Sequence, residues 1–381
     1  MKTDKMIEKS KSNFISGCWN YFKSYYSDLN ASNIYIYGTG IYGRFLFNAL
    51  KHIGFDNIIA FLNDNASDND MLFDVPVYAP AKVEFDSKRD MIIVGIQNID
   101  LIIDKLNRLG IRYIFADYDQ WFYQNNLMYS VYHCIDDSIY NMMLNIDFYY
   151  REIYENDDKV LSIYDEPASK EIIRNRLLFY QTGDCGYIES TVKNINQYFD
   201  NDYYSIGSKE IFVDVGAFDG DSINEFVRYT CNKYSRIIGI EPDTISFNKL
   251  KKAVDGFHDC TLIKCATGNH NSIAKFDSKG VLGSSFGENG DEIKIKKLDD
   301  ILEDIHPTLI KMDIEGAELN TLRGAAEVIK RDKPKLAVCI YHKPEDIIEI
   351  PKYIHSLVPE YKFKVRQHTN TMLETVLYAE I

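Results

Sequence analysis

Acidic residues at the ends of short apolar segments are the first sign of chemistry in this sequence. Asp214 lies in the apolar run Ile211–Val215, which leads into the glycine turn Gly216–Gly220. A carboxylate here is unfavourable beside the pyrophosphate of a dinucleotide, because like charges repel where little water is present. It is favourable beside the ammonium and sulfonium groups of S-adenosylmethionine (SAM). The pattern therefore favours a methyl donor over NAD as the ligand.

A second acid lies where a nucleotide-binding unit needs one. Glu241 and Pro242 follow the apolar segment Arg236–Ile240, about 20 residues past the glycine turn, where an acid typically binds ribose hydroxyls. Asp214 alone is equally consistent with a helix cap, and Glu241 alone with a solvated loop acid. Their order and spacing together favour a nucleotide site.

Three further ionisable residues, Asp313, His342 and His368, each follow a segment that predicts a strand. These segments are Leu309–Met312, Lys335–Tyr341 and Lys362–Val365. Ligands of open α/β sheets bind beyond the carboxyl ends of the strands. We therefore expect these three side chains to join Asp214 and Glu241 at one edge of a sheet.

Proton removal near neutral pH is the chemistry that fits this group, and histidine is the usual side chain for it. We expect His342 to be the general base and His368 the second candidate. Asp313 would orient the base or accept the proton. A histidine after a strand can also be a hydrogen-bonded structural residue, so that alternative stays open for both.

The same residues include metal ligands. Asp313, Glu315, His342 and His368 could hold Mg²⁺ or Mn²⁺, which would bind a diol and lower its pKa. A metal-free site is favoured, since Glu315 and Glu318 are also acids of the kind that a helix N-terminus attracts.

Alternating strands and helices position these residues. The glycine turn leads into a helix from Ser222, and a third strand, Thr261–Lys264, precedes Ala266, where a small residue usually faces adenine. Gly280–Gly290 is rich in glycine and serine, which is typical of a mobile loop that closes on a ligand. The last strand, Glu374–Tyr378, follows a connection too short for a parallel crossover, so it should run antiparallel.

Three separated motifs resemble those of the FkbM-type SAM-dependent methyltransferases. They are Phe212–Gly220, Glu241-Pro242 and Ile310–Glu318, and the resemblance spans about residue 197 to the C-terminus. It implies an α/β fold of the class I methyltransferases, with a seven-stranded, mostly parallel sheet whose last strand is antiparallel.

The resemblance also implies SAM as cofactor and, usually, O-methylation of a sugar, a glycan or a secondary metabolite. It makes Asp214, Gly216 and Gly220 the donor loop, Glu241 the ribose ligand and Asp313–Glu318 the motif bordering the substrate. Together with Ala217, Pro242, Ala266 and Asp313, the donor-loop residues and Glu241 make up the expected cofactor site. A glycan of lipopolysaccharide or capsule, or a nucleotide-linked precursor, fits as the acceptor, but no residue identifies which of them it is. Two alternatives stay open: a non-catalytic nucleotide- or nucleotide-sugar-binding scaffold with a vestigial SAM site, and an NAD(P) enzyme that uses an upstream glycine loop.

That upstream loop belongs to a smaller Rossmann-like α/β unit. The strand Ile34–Tyr37 leads into a complete G-x-G-x-x-G motif formed by Gly38, Gly40 and Gly43. The motif carries no acid, so the following helix N-terminus could hold a phosphate, and Asp64 could reach a ribose.

A neighbouring segment, Val75–Tyr78, resembles the N-terminal domain of sugar acyltransferases that bind a nucleotide-sugar. A nucleotide or nucleotide-sugar is therefore a candidate ligand of this unit. The alternative is a Rossmann-like domain retained for packing or dimerisation, and a homo-oligomer is accordingly one candidate assembly.

Length and patterning predict four segments: a helical lead-in (1–30), the Rossmann-like domain (31–118), a helical connector (119–208) and the methyltransferase domain (209–381). The net charge of −14 argues against a nucleic-acid partner. The seven cysteines show no Cys-x-x-Cys or zinc spacing, which indicates reduced thiols. Without an apolar leader or a long apolar run, we expect no transmembrane segment and a cytoplasmic location.

Overall fold

The computed structural model describes residues 33–52, 54–96, 100–115, 161–182, 186–193, 196–277, 285–286, 290–343, 345–369 and 373–381. The lead-in expected at 1–30, the first part of the expected connector and most of the expected mobile loop lie outside these ranges. The chain divides into two compact units, Met1–Leu144 with Leu178–Gly186 and Asn145–Leu177 with Tyr187–Ile381. The finer domain boundaries drawn from the sequence stay a prediction.

The first unit is built on a sheet flanked by helices. Its elements are β1 (Asn33–Tyr37), α1 (Ile41–His52), β2 (Ile58–Leu62), β3 (Met71–Leu72), β4 (Val75–Tyr78), β5 (Asp90–Val94), α2 (Asp100–Leu109) and β6 (Arg112–Phe115), with a 3₁₀ turn at Pro80–Lys82. The strand order is β3-β4-β2-β1-β5-β6, and every pair is parallel except β3–β4. The central strands are apolar and buried, as parallel strands covered on both faces must be.

The second unit contains the larger sheet. Its elements are a 3₁₀ turn (Leu161–Ile163), α3 (Pro167–Thr182), which begins in this unit, α4 (Gly186–Glu189), β7 (Ile211–Val215), α5 (Asp221–Tyr229), β8 (Arg236–Ile240), α6 (Thr244–Ala253), β9 (Cys260–Ile263), β10 (Ala266–Thr267), β11 (Ser272–Asp277), β12 (Ser285–Phe286), β13 (Asp291–Lys296), α7 (Leu298–Ile301), β14 (Leu309–Met312), α8 (Glu318–Arg323), α9 (Ala326–Asp332), β15 (Lys335–Cys339), α10 (Asp346–Leu357), β16 (Lys362–Gln367) and β17 (Thr375–Glu380).

Seven of these strands form one sheet in the order β16-β17-β15-β14-β7-β8-β9. β17 pairs antiparallel with both β15 and β16, and the other pairs are parallel. This confirms the predicted class of fold and the reversed last strand. Because the parallel strands share one direction, the residues that follow β7, β8, β14, β15 and β16 meet at one carboxyl edge.

Two charged residues interrupt the apolar centre of this sheet. Asp214 on β7 and Lys311 on β14 are register partners, and both are buried. Charges inside a sheet that is covered on both faces are costly unless they are paired. Their presence marks the part of the sheet where the site lies.

A separate four-stranded sheet, with the order β10-β13-β11-β12, was not predicted. Its main strands, Ser272–Asp277 and Asp291–Lys296, alternate polar and apolar residues. That alternation is the signal of a half-exposed antiparallel strand, and the glycine- and serine-rich residues around it obscured the signal.

The segment before β7 covers the outer edge of the larger sheet. Tyr164 forms a parallel bridge with Phe363, and Val192 forms one with Gln367. The described part of the expected connector therefore extends the pairing of β16, the edge strand.

Candidate active site at the carboxyl edge of the larger sheet

The glycine turn after β7 is held tightly against the neighbouring strand. Gly216 has φ +81°, and a Cβ there would lie 1.9 Å from the carbonyl oxygen of Asp313. Gly220 has φ +93° and is the residue that precedes α5. The amides of Gly216 and Ala217 both donate to the carbonyl of Ile240, at 3.0 Å. Only glycine fits at position 216, so the turn has one conformation fixed by its neighbours.

Asp214 is paired with a lysine that the sequence did not single out. The Asp214 side chain has no exposed surface, and its Oδ1 lies 3.0 Å from the Lys311 ammonium. Burial raises the pKa of Asp214 to about 6, although Lys311 opposes this shift. Burial would lower the pKa of Lys311, but Asp214 outweighs it, so the ammonium stays charged. The pair therefore carries both charges at neutral pH.

The lysine also reaches the glycine turn, because its Nζ donates to the carbonyl of Gly216 at 2.9 Å. Lys311 therefore balances the charge of Asp214 and also binds the carbonyl of the glycine turn. Direct contact of Asp214 with SAM stays a prediction.

Glu241 connects the ends of β7 and β8. Its Oε2 accepts the amide of Phe218 at 2.9 Å, and its Oε1 accepts the amide of Asp243 at 2.7 Å. Burial raises the pKa of Glu241 to about 7, against the effect of these two backbone donors. An acid held in this way faces the glycine turn, with lone pairs left to accept further hydroxyl groups.

Two tyrosines fix Asp313, which follows β14. Tyr198 donates its hydroxyl to Oδ2 at 3.0 Å, and Tyr341 donates to Oδ1 at 3.4 Å. The Asp313 side chain keeps 24% of its surface exposed. It therefore remains accessible from the cleft while its orientation is set by the phenols.

His342 contacts carboxylates on both sides of its ring. Its Nδ1 lies 2.8 Å from Oε1 of the fully buried Glu318. Its Nε2 lies 3.5 Å from Asp313 Oδ1 and 3.7 Å from Glu315 Oε2. Burial lowers the pKa of His342, but these acids, Glu318 above all, raise it to about 9. An imidazole that is protonated near neutral pH is a poor general base, which weighs against the role expected for it.

A half-buried acid that the sequence did not single out lies near this group. Glu374 precedes β17, has φ +59° and accepts a hydrogen bond from Gln197. Gln197 also donates to the hydroxyl of Tyr198 at 3.0 Å, which connects Glu374 to Asp313. Burial and the charge of Asp313 raise the pKa of Glu374 to about 7. A strained backbone at a half-buried acid is typical of functional positions.

His368 lies at the same edge but in a different environment. Its Nε2 is 2.7 Å from the hydroxyl of Tyr378, which in turn donates to the carbonyl of Gln197. Its ring contacts the buried Tyr203 edge-on. No contact places it with Asp313 or His342 in the described residues, so its catalytic and metal roles stay predictions.

Two expected cofactor residues lie beside this group. Pro242 is half-buried between Glu241 and Asp243. Ala266 is buried and packs in the small sheet with Phe276 and Ile293. Its side chain is therefore part of a core, and a contact with adenine stays a prediction.

Potential metal donors converge at His342. Among the described residues, one donor atom each from Asp313, Glu318 and His342 lie within 4.8 Å of one another. The sequence named Asp313, Glu315 and His342 as candidate ligands, and Glu315 also lies beside this group. It assigned Glu318 only to a helix N-terminus, where it does stand, as the first residue of α8.

The upstream glycine motif forms a tight turn of the expected kind. A Cβ at Gly43 would lie 1.9 Å from the carbonyl of Gly38, whereas a Cβ at Gly40 would meet open space. Asp64 is half-exposed, with Tyr37 donating to it at 2.8 Å and Lys105 forming an ion pair. Nucleotide binding here stays a prediction.

A known protein family matches part of this chain in sequence, and a solved structure matches it in fold. Residues 214–365 match the model of the methyltransferase FkbM domain. No curated protein matches the chain. The crystal structure of methyltransferase FkbM from Methylobacillus flagellatus KT is 22% identical, covers 99% of both chains and superposes with a TM-score of 0.61. The resemblance to the FkbM-type methyltransferases is confirmed for residues 214–365, and the structural likeness shows the fold.

More distant structures also match. Aeropyrum pernix fibrillarin with bound S-adenosyl-L-methionine is 10% identical over 46% of this chain and 69% of its own, with a TM-score of 0.28. An rRNA methylase from Streptococcus thermophilus is 11% identical over 52% of this chain and 93% of its own, with a TM-score of 0.30. At such TM-scores they carry no structural argument. Across the described parts of the chain, no helix combines the length and apolar character needed to cross a bilayer.

Proposed function

We propose that the methyltransferase FkbM domain at residues 214–365 transfers a methyl group from SAM to a hydroxyl oxygen of a sugar, a glycan or a secondary metabolite. In this reaction the acceptor oxygen attacks the methyl carbon in line with the departing sulfur. The C–O bond forms as the C–S bond breaks, and the hydroxyl proton is given up. The protein must hold both substrates in line and accept the proton.

One observation carries this proposal: the carboxylate of Glu241 is bonded to the glycine turn itself, through the amide of Phe218 at 2.9 Å. This contact supports a ribose-binding role for Glu241, because the acid lies directly beside a turn that is fixed by Gly216. The order β9-β8-β7-β14-β15 puts the contact at the middle of the sheet, where open α/β folds bind nucleosides.

The acidic residues at the carboxyl edge of the larger sheet support a cationic ligand. Because Lys311 balances the charge of Asp214, the attraction for a sulfonium comes from the other acids at the carboxyl edge. Asp313 and Glu315 follow β14, and Glu374 precedes β17. Opposite charge in a partly dry cleft favours the donor over its neutral product.

Proton removal in this proposal falls to a carboxylate and not to the histidine. The pKa of His342 is raised to about 9 by Glu318 and its neighbours, against burial, so the ring holds its proton at neutral pH. Asp313 is accessible, and Glu374 has a pKa of about 7 because partial burial and the charge of Asp313 raise it. A base works best when its pKa lies near the working pH.

Isothermal titration of the full chain with SAM tests the donor site. We expect binding, and we expect Glu241→Ala to weaken it at least tenfold, because the ribose contact and the support of the turn are lost together. Asp64→Ala is the matched control, since Asp64 is the corresponding acid of the other glycine unit. Failure of the wild-type chain to bind SAM, or binding of NADH in its place, would overturn the proposal.

Transfer is tested by incubating the chain with methyl-labelled SAM and a panel of glycans and hydroxylated metabolites. Mass spectrometry then locates the label. Methylation on oxygen is the expected result. Label found only on nitrogen or carbon would contradict the acceptor class, and binding of SAM without transfer to any acceptor would favour a scaffold.

A further inference from the structure

We infer that His342, Asp313 and Glu315 form a binding site for a divalent cation of the Mg²⁺ or Mn²⁺ class, with Glu318 positioning the histidine. The inference rests on the proposed function only for the role of the cation in methyl transfer. Cation binding itself is measured separately.

The first argument is the way His342 is held. Its Nδ1 contacts Oε1 of Glu318 at 2.8 Å, and the Glu318 side chain has no exposed surface. Oε1 of Glu318 also accepts the amide of Ile314 at 3.0 Å, which fixes the carboxylate in place. A histidine that binds a metal typically has a carboxylate at its other ring nitrogen, and the close approach of Glu318 to Nδ1 is of this kind. Nε2 is left facing Asp313 and Glu315, and a cation bound there would replace the proton that the ring holds in the free protein.

The second argument is what Nε2 faces. Asp313 Oδ1 lies 3.5 Å from it, and Glu315 Oε2 lies 3.7 Å from it. Ligand atoms that bind one cation at about 2.1 Å and at right angles are separated by about 3 Å. Both carboxylate oxygens lie within 3.7 Å of Nε2, so rotation of the half-exposed Glu315 side chain would bring it to an ion held between Nε2 and Asp313. One imidazole and two carboxylates suit Mg²⁺ or Mn²⁺.

An independent observation is a pair of buried carboxylate oxygens near the histidine that lack hydrogen-bond donors. Asp346 is 2% exposed, and its Oδ2 is buried without a hydrogen-bond partner. Oε2 of Glu318 is also buried without one. Buried carboxylate oxygens that lack donors are costly unless positive charge lies nearby.

The site also fits the proposed chemistry. With ligands from only three side chains, a six-coordinate cation keeps open positions that can take oxygens of an acceptor diol. A cation-bound hydroxyl has a lowered pKa, so its proton leaves to a nearby carboxylate or to water before the oxygen attacks the methyl carbon. The acceptor class expected from this site is a vicinal diol, as sugars provide.

Binding of Mn²⁺ to the full chain after treatment with EDTA tests the inference. Isothermal titration should show one site, and the electron paramagnetic resonance of bound Mn²⁺ should show magnetic coupling to an imidazole nitrogen. Glu315→Gln and His342→Gln should each weaken binding at least tenfold, and His342→Gln should abolish the nitrogen coupling. Glu292→Gln, an exposed acid on β13, is the matched control and should bind Mn²⁺ like the wild type.

Glu318→Gln tests the positioning role. The amide can still accept from the ring, so Mn²⁺ binding should weaken less than in Glu315→Gln while the nitrogen coupling persists. If His342→Gln does not fold, Glu315→Gln decides the matter, because that side chain is half-exposed. Wild-type protein that binds no Mn²⁺, or that binds it without nitrogen coupling, would overturn the inference. SAM binding, measured separately, would still stand.

Discussion

The two glycine turns of this chain have the same backbone packing but differ in charge. Each follows a central strand and is pressed against the residue that follows the neighbouring strand. A Cβ at Gly38 would lie 2.6 Å from the carbonyl of Gly95, and a Cβ at Gly216 would lie 1.9 Å from that of Asp313. Glycine is therefore a packing requirement in both turns and does not by itself indicate function.

The difference lies in the register pairs beneath the turns. In the first unit Ile36 is opposite Ile93, and in the second Asp214 is opposite Lys311. An apolar pair completes a core at no electrostatic cost, whereas a buried ion pair is retained against its desolvation cost. The acid after the second strand differs as well: Asp64 is half-exposed, whereas Glu241 is buried. The ionisable residues, more than the glycines, distinguish the proposed catalytic turn from the turn of the first unit.

The largest effect is expected from removing one partner of the ion pair. Lys311→Met leaves Asp214 buried without its counter-charge, which should lower the free energy of unfolding by about 3–5 kcal/mol. The double variant Asp214→Ile with Lys311→Ile copies the first unit and should recover most of that stability while losing SAM binding. Thermal unfolding and titration with SAM measure the two results. A double variant that binds SAM normally would show that the charges are not needed for the donor.

A somewhat smaller effect is expected at the glycines. Gly216→Ala forces a left-handed alanine against the carbonyl of Asp313, which should cost at least about 2 kcal/mol and abolish methylation. Gly43→Ala should also destabilise the protein, because its Cβ would meet Gly38, but it should leave SAM affinity unchanged. The control is Gly40→Ala, where nothing lies within 4 Å. If Gly43→Ala alters SAM affinity, the two turns do not act separately.

A pH-dependent effect is expected from Glu241. Its pKa is raised by burial to about 7, with Asp243 adding to the shift and its backbone donors and Lys311 opposing it. Between an ordinary pKa of about 4.3 and this value, the folded protein holds a proton that the unfolded chain has released. Stability should therefore fall as the pH rises through this window, by at most about 3–4 kcal/mol.

Glu241→Gln removes the carboxyl group that binds this proton. Raising the pH from 4.5 to 7.5 should lower the melting temperature of the wild type more than that of the variant. Unfolding followed at both pH values in the same buffer measures it. A difference that stays constant across the window would mean that Glu241 titrates normally.

The smallest effect is expected from Asp64→Ala. Asp64 is half-exposed and pairs with the similarly exposed Lys105, and such surface pairs contribute about 0–1 kcal/mol. SAM affinity should not change. A marked loss of stability would show that the first unit depends on this acid more than its exposure indicates.

The sequence predicted the strands better than it predicted the partners of its charges. Ile211–Val215, Arg236–Ile240 and Leu309–Met312 were placed correctly because they are short apolar runs bounded by turn residues. Lys311 was not recognised as the partner of Asp214, because that contact depends on the register between β7 and β14. A lysine inside an otherwise apolar strand was the available signal.

Glu374 and Glu318 were missed for a related reason. Glu374 reaches the site because the β16–β17 hairpin turns it back to the carboxyl edge, and a pattern of residues does not give that direction. Glu318 has the appearance of an ordinary helix N-terminal acid, and only the position of His342 gives it a partner. Local sequence predicts elements, whereas the partners of charged groups depend on tertiary contacts.

The bonds made to the edge strand β16 bear on where an independently folding piece of this chain can begin. Asp165 accepts the amide of Phe363 at 3.0 Å, and Ser169 accepts that of Val365 at 2.8 Å. The amide of Lys193 donates to the carbonyl of Gln367 at 2.9 Å. A fragment that starts at the first family motif would leave these backbone groups bare and expose an edge open to self-association. The shortest soluble fragment should therefore include residues from about 161 onward, well upstream of the segment that carries the family signature.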